Sequence, residues 1–196
     1  MKNVLYIDCC IRREGSRTKE LAEHFLKELE KNGDYCITRL VLVDEGLNYM
    51  TEGFFRQRDE LLAEKNFSHP RFCYARQFAE ADKIVIAAPF WDLSFPALLK
   101  VYIENLCVEG ITFKTGERGL EGLCKADHMV YLTTRGGYYA DTPLEMGSRY
   151  MAAMAEFFGI ERYDCIAAEG LDIGLVPVAE LLDAAKKEAE EAAKTV

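Results

Sequence analysis

Apolar residues along the chain fall into two rhythms, short continuous runs and longer four-residue stripes. Asn3 to Asp8 is a compact apolar run and predicts a strand. From Ser16 to Lys31, Leu21, Phe25 and Leu29 recur every four residues with Ala22 and Leu26 beside them, the stripe of an amphipathic helix. Asn32-Gly33-Asp34 ends that helix in a turn. Tyr35 to Val43 alternates loosely and predicts a second strand. Thr51 to Ala81 is charged and mostly helical, broken at Ser68-His69-Pro70 because the residue before a proline avoids the helical region. Lys83 to Ala88 is a continuous apolar run stopped by Pro89, the form of a parallel strand buried on both faces. Pro96 to Cys107 predicts a helix with proline near its first turn and Leu98, Leu99, Tyr102, Ile103 and Leu106 as its stripe. A strand over Asp127 to Thr134, a helix over Pro143 to Phe158 stopped by Gly159, and a strand over Tyr163 to Ala168 follow. A charged, alanine-rich helix over Pro177 to Lys194 closes the pattern.

Strands and helices thus alternate, which implies a parallel sheet covered on both faces. Five strands in under 200 residues suit an α/β, doubly wound, flavodoxin-like sheet of order 2-1-3-4-5. Ligands in that architecture bind outside the carboxyl ends of the strands at the switch point, so the ends of strands 1, 3 and 4 are the places to look.

Composition narrows the field. The 196 residues show no internal repeat or low-complexity linker and read as a single domain over 1–196. Lys+Arg 24 against Asp+Glu 33 gives 24 − 33 = −9, which disfavours nucleic acid and anionic membrane surfaces as partners. No apolar run approaches the roughly 18 residues of a membrane-spanning helix. The first apolar run is too short for a signal peptide and is interrupted by Asp8. Seven cysteines, an odd and unpatterned set, read as reduced thiols of a cytoplasmic protein. There is no CxxC, and His24, His69 and His128 sit in no metal-ligand spacing, so no metal is expected.

After strand 1 comes Asp8-Cys9-Cys10-Ile11-Arg12-Arg13-Glu14-Gly15-Ser16-Arg17-Thr18. The hydroxyls of Ser16 and Thr18, with the N–H groups and dipole of a helix start, form a candidate phosphate cradle. Ser16 also serves as a plain N-cap, and both readings stand at this point. GxGxxG and GxxxxGK[ST] are absent, so neither the dinucleotide fingerprint nor the triphosphate loop applies. Small α/β phosphatases place a nucleophilic cysteine after strand 1 and an arginine six positions on. Six after Cys10 is Ser16 and six after Cys9 is Gly15, so Arg17 falls one place too far. That reading stays as a weaker alternative resting on Cys10.

Strand 3 ends in Pro89-Phe90-Trp91-Asp92-Leu93-Ser94-Phe95-Pro96. Two prolines stiffen the segment, and adjacent Phe90 and Trp91 point in different directions, so both cannot fill the core. A rigid aromatic loop here suits a flat ring system. Strand 4 ends in Thr134-Arg135-Gly136-Gly137-Tyr138-Tyr139, where paired glycines let backbone N–H groups approach a ligand or simply make a tight turn.

Taken together these residues resemble the FMN-dependent NAD(P)H oxidoreductases of flavodoxin-like fold, the azoreductase and quinone-reductase group. The likeness covers nearly the whole chain. It rests on Ala88-Pro89-Phe90-Trp91-Asp92, on Leu99-Lys100-Val101-Tyr102-Ile103-Glu104, on Gly110-Ile111-Thr112-Phe113-Lys114 and Glu121-Gly122-Leu123, and on Thr134-Arg135-Gly136-Gly137 and Ala168-Glu169-Gly170. The resemblance implies an FMN phosphate against Cys10, Ser16, Arg17 and Thr18. It implies an isoalloxazine on the backbone of Pro89, Phe90, Trp91, Asp92 and Leu93, edged by Thr134, Arg135, Gly136 and Gly137. It further implies NADH or NADPH as co-substrate, a quinone, azo or nitroaromatic acceptor, and a homodimer with the active site at its interface. Tyr138, Tyr139 and Phe157 are the candidate acceptor contacts, with a core aromatic the equal alternative for Phe157 beside Phe158. The chain departs from the group in having Cys9-Cys10 where Ser-Ser is usual and Trp91-Asp92 where Tyr-Asn is usual. The Asp92 carboxylate would disfavour an anionic reduced flavin. No side chain is required as general base, because the cofactor carries the hydride. An FMN-binding electron carrier without NAD(P)H turnover, and a flavin-binding regulatory protein, remain the other classes. Arg12, Arg13 and Arg56 are alternatives for a 2′-phosphate, and 48–70 is either a lid or a helical cover.

Overall fold

In the computed structural model, which describes residues 1–117 and 119–196, five parallel strands form one sheet. They are β1 (Lys2–Asp8), β2 (Tyr35–Val41), β3 (Lys83–Ala87), β6 (His128–Thr134) and β7 (Arg162–Ala168), in the order β2-β1-β3-β6-β7. The remaining strands, β4 (Phe113–Gly116) and β5 (Gly119–Gly122), pair antiparallel as a separate ribbon. Counting only the parallel strands, the order is the 2-1-3-4-5 expected from the pattern. The helices are α1 (Arg17–Asn32), α2 (Glu52–Ala63), α3 (Cys73–Glu80), α4 (Ala97–Leu106), α5 (Gly147–Phe158) and α6 (Val178–Ala193).

The period-two geometry of the strands splits the core in two. Val4, Tyr6, Val85, Ala87, Val130 and Leu132 face α1 and α6, packing on Leu21, Phe25, Leu29, Leu182, Ala185 and Ala189. Leu5, Ile7, Ile84, Ile86, Met129 and Tyr131 face the other way, onto Phe78, Leu99, Tyr102, Ile103, Met151 and Phe158. The inner strands β3 and β6 are buried along their whole length, which is why their sequences are continuous apolar runs rather than alternating ones. A small third cluster, Leu61, Phe72, Ala75 and Val108, holds α2 against the body.

The elements differ in places from the pattern-based ones. The second strand stops at Val41 because Leu42–Asp44 winds into a turn of 3₁₀ helix. Thr51 to Ala81 resolves into α2 and α3 with a 3₁₀ turn at Pro70–Phe72, where the proline break was expected. The helix expected from Pro143 begins instead at Gly147, because Glu145 turns inward rather than continuing an outer face. The β4–β5 ribbon was not expected at all, since its eight residues include three glycines and no alternating apolar set.

The ribbon docks on α5 through the Phe113 ring, which packs on Phe157, and through a close backbone contact. Gly159 caps α5 in the left-handed conformation at φ 80°. Across from it lies Gly122, and a Cβ there would stand 2.1 Å from Gly159 N and from Phe158 C. Only glycine fits such a contact. Gly122→Ala should therefore push the ribbon off α5 and lower stability by about 1–3 kcal/mol, measurable by urea denaturation.

At the amino end of β6 His128 is fully buried, with Nε2 2.7 Å from Asp164 Oδ2. Burial lowers its pKa, and Asp164 only partly opposes this. The unfolded chain then takes up a proton more readily than the native one. This contribution is complete above the ordinary histidine value near 6.5 and declines as pH falls through the lower native value. Melting temperature should drop between pH 8 and pH 5.5 more steeply in the native chain than in a His128→Gln variant.

Candidate functional site

The chain leaves β1 toward α1 on one face and leaves β3 toward α4 on the other. The divergence opens a cleft of about 330 Å³ at the carboxyl ends of the strands. Its walls come from Ile11, Arg12, Gly15, Ser16, Arg17 and Thr18 on one side, and from Pro89, Phe90, Trp91, Thr134, Gly136 and Asp172 on the other.

One end of the cleft is built for an anion. Ser16 is the N-cap of α1, and its Oγ accepts from Lys19 N at 3.2 Å. The first-turn N–H groups of Arg17 and Thr18 have no place in the helical ladder and meet the cleft at the positive end of the helix dipole. The Thr18 hydroxyl is buried and lies 2.6 Å from Thr134 Oγ1, which ties the first loop to the end of β6. Arg17 Nη1 donates to Asp172 Oδ1 at 2.9 Å and to Leu171 O at 3.3 Å. Arg12 is exposed at the rim, whereas Arg13 is tied down by an ion pair with Asp44.

The other end is an aromatic platform held by a strained turn. Trp91 N donates to Ser94 O at 3.1 Å and Ser94 N to Trp91 O at 2.8 Å, closing a two-residue turn. Both residues inside it, Asp92 at φ 49° and Leu93 at φ 67°, sit in the left-handed region. This is the primed geometry that usually demands glycine or asparagine. Together with Arg13 at φ 50°, three of the four described non-glycine residues with positive φ lie in loops bordering the cleft. Such strain persists only where surrounding contacts over-determine it. Here Met146 N donates to Leu93 O, and Phe90 N donates to Thr134 O, each at 3.1 Å.

Several expected site residues sit elsewhere. Cys10 is 3% exposed, with its N–H donated to Asp8 Oδ1 at 2.8 Å and its thiol turned toward Ala87 O, and it does not line the cleft. Burial pushes its thiol pKa up, with buried Asp8 adding to the effect, and Cys9 is pushed up to about 12. A thiol so reluctant to ionise is a poor nucleophile, which removes the physical basis of the phosphatase reading. Asp92 and Leu93 form the turn without lining the cleft. Gly136 lines it, and a Cβ there would stand 2.5 Å from Asp172 Oδ2. Gly137 gives room to the Tyr139 ring, which packs 4.8 Å from the Phe90 ring. Tyr138 is exposed, with its ring against Gly170. Phe157 does not line the cleft and packs on Phe113 and Phe158.

Arg135 is the largest departure. Its side chain is 3% exposed and turned away from the cleft. Nη2 lies 3.1 Å from Glu145 Oε1, and Nη1 lies 2.9 Å from Glu169 Oε1. Burial opposes its charge, but the paired carboxylates outweigh that and raise its pKa. Sequence reasoning missed Glu145, Glu169 and Asp172. Glu145 falls inside the helix expected from Pro143, and Asp172 follows the last strand, outside the three loops to which the topology points. Glu169 stands in the Ala168-Glu169-Gly170 motif, where the sequence gives it no role.

Sheet order, switch-point cleft and helix-terminal cradle together define a flavodoxin-like protein. The family model described as a flavodoxin-like fold matches residues 2–193. The chain is 43% identical to FMN-dependent NADH:quinone oxidoreductase 2 of Clostridium acetobutylicum over 99% of both chains. It is 40% identical to the FMN-dependent NADH:quinone oxidoreductase of Clostridium beijerinckii, again over 99% of each. An azoreductase from Bacillus anthracis strain Sterne superposes with a TM-score of 0.90 at 29% identity, covering 100% of both chains. An FMN-dependent NADH-azoreductase from Bacillus anthracis strain Ames Ancestor, solved in complex with FMN, gives 0.86 at 26% identity, covering 100% of this chain and 99% of that one. The chain belongs to this flavodoxin-like family of FMN-dependent NADH:quinone oxidoreductases and azoreductases.

The donor set fits FMN. Hydroxyls, helix N–H groups and two arginines suit a phosphate at one end, and flat apolar side chains suit a ring system at the other. A thiol titration with a chromogenic disulfide should find two fast groups, exposed Cys36 and Cys73, while Cys9 and Cys10 react only after unfolding.

Proposed function

We propose that this chain is an FMN-dependent oxidoreductase that oxidises NADH and reduces a flat acceptor of the quinone or azo-compound class. The observation that carries this is the two-ended cleft, with an anion cradle at α1 and an aromatic platform at 89–91. The names of its relatives, which print FMN, NADH, quinone and azoreductase, support it.

When bound, FMN supplies the capacity to accept a hydride and pass it on. The residues of the chain bind and orient. Arg17 and the N–H groups of Arg17 and Thr18 hold the phosphate, with Ser16 and Arg12 beside them. Pro89, Phe90 and Trp91 carry the ring, and the fixed turn at Asp92 and Leu93 keeps that platform from yielding. The backbone at Gly136, which lines the cleft, would edge the ring and could donate N–H to negative charge there. Exposed Tyr138 and Trp91 offer flat surfaces to an aromatic acceptor.

The proposed assembly is a homodimer whose interface covers the cleft mouth. Leu93, Leu144 and Met146 are exposed apolar side chains on two segments joined by the Met146–Leu93 backbone bond, a patch of the kind that partners cover. Among the described residues no helix is long and apolar enough to cross a membrane. Seven free cysteines among the described residues support a reducing, cytoplasmic setting.

Protein mixed with FMN and desalted should retain flavin absorption bands, and NADH added without air should bleach them within seconds. Retained bands that stay unbleached would identify an electron carrier or sensor, and absent bands would sink the reading. Arg17→Ala should weaken FMN binding about tenfold, the loss expected for one charge-assisted hydrogen bond.

A further inference from the structure

We propose that Arg135 is a positioning residue that locks the two ring-binding loops to each other without touching the cleft. The inference rests on the FMN reading above, because it assigns Arg135 to the organisation of that same site.

The guanidinium reaches three parts of the fold at once. Through Nη1 it holds Glu169, at the carboxyl side of β7. The same oxygen, Glu169 Oε1, accepts from Tyr139 N at 2.9 Å and Ala140 N at 3.0 Å. It therefore fixes the backbone of the loop after β6. Through Nη2 the guanidinium meets Glu145 Oε1 at 3.1 Å, and Glu145 in turn accepts from Ser148 N at 2.9 Å and from the Ser148 hydroxyl. That second branch fixes the start of α5 beside Met146, whose N–H supports the turn at Leu93. Finally, the guanidinium carbon lies 5.5 Å from the centre of the Phe90 ring, against which Tyr139 packs.

Each loop is thus tied to the same cation, the first through Phe90 and Met146, the second through Tyr139 and Ala140. A lysine keeps the charge but offers a point rather than a fork, so it cannot serve both carboxylates in this geometry. Glu169→Gln keeps an acceptor for the two N–H groups and loses only the charge, whereas Glu169→Ala loses both.

The test uses the full chain. Hydrogen exchange of the Tyr139 and Ala140 amides is read first without FMN. Arg135→Lys should speed exchange at these two amides at least tenfold while β1 and β3 amides stay within twofold, a split that global destabilisation does not produce. FMN binding, followed by quenching of flavin fluorescence, should weaken about tenfold or more in Arg135→Lys, on the scale of one lost charged hydrogen bond. The bound-flavin spectrum should shift as well. Glu169→Gln should fall between the native chain and Glu169→Ala in both readouts. Unchanged exchange at Tyr139 and Ala140 in Arg135→Lys would overturn the proposal. So would native FMN affinity and spectrum in a variant that is merely less stable. If the native chain itself binds no FMN, the functional reading fails, while the exchange result still decides whether Arg135 holds the loop.

Discussion

The site exists because two neighbouring strands send their chains in opposite directions. β1 feeds α1 on one face of the sheet and β3 feeds α4 on the other, so nothing fills the space between their carboxyl ends. Everything chemical about the molecule is arranged around that gap. The helix start brings N–H groups and hydroxyls to one side, and the chain after β3 brings flat apolar groups to the other. The sheet beneath is buried on both faces and cannot shift to close it. A cofactor with an anionic tail and a flat head is what such a gap accommodates.

Much of this could be read from residue order. The continuous run at 83–88 announced a buried parallel strand, and the alternation of strands with helices set the topology. The three loops followed from the topology, and Ser16, Arg17, Thr18, Pro89, Phe90, Trp91, Thr134 and Gly136 all line the cleft or its floor. What escaped is the direction in which side chains point once a loop has turned. Cys10 and Arg135 stand in the right segments, yet one faces the core beside Asp8 and the other faces two buried carboxylates. Loop residues have no period, so no pattern tells inward from outward. Buried ion partners such as Glu145 look like any surface acid until the fold brings an arginine to them. The β4–β5 ribbon escaped for a related reason, since its docking rests on one phenylalanine and a glycine contact rather than on an apolar stripe.

Strain and pairing serve different ends here. The Asp92–Leu93 turn holds an unfavourable backbone conformation and is braced from both sides. The Arg135 cluster is a set of charges withdrawn from water, and such clusters seldom add net stability over apolar packing. Their value lies in direction, because a fork of hydrogen bonds admits few alternative arrangements.

Helix α5 gives these local facts a mechanical meaning. Its amino end is bound to the Glu145–Arg135 cluster, and its carboxyl end is in backbone contact with the ribbon at Gly122. Twelve residues of helix make a rod about 18 Å long. The ribbon, with Leu120 exposed on it, is therefore joined by one short rigid helix to the Met146 N–H that braces the turn after Trp91.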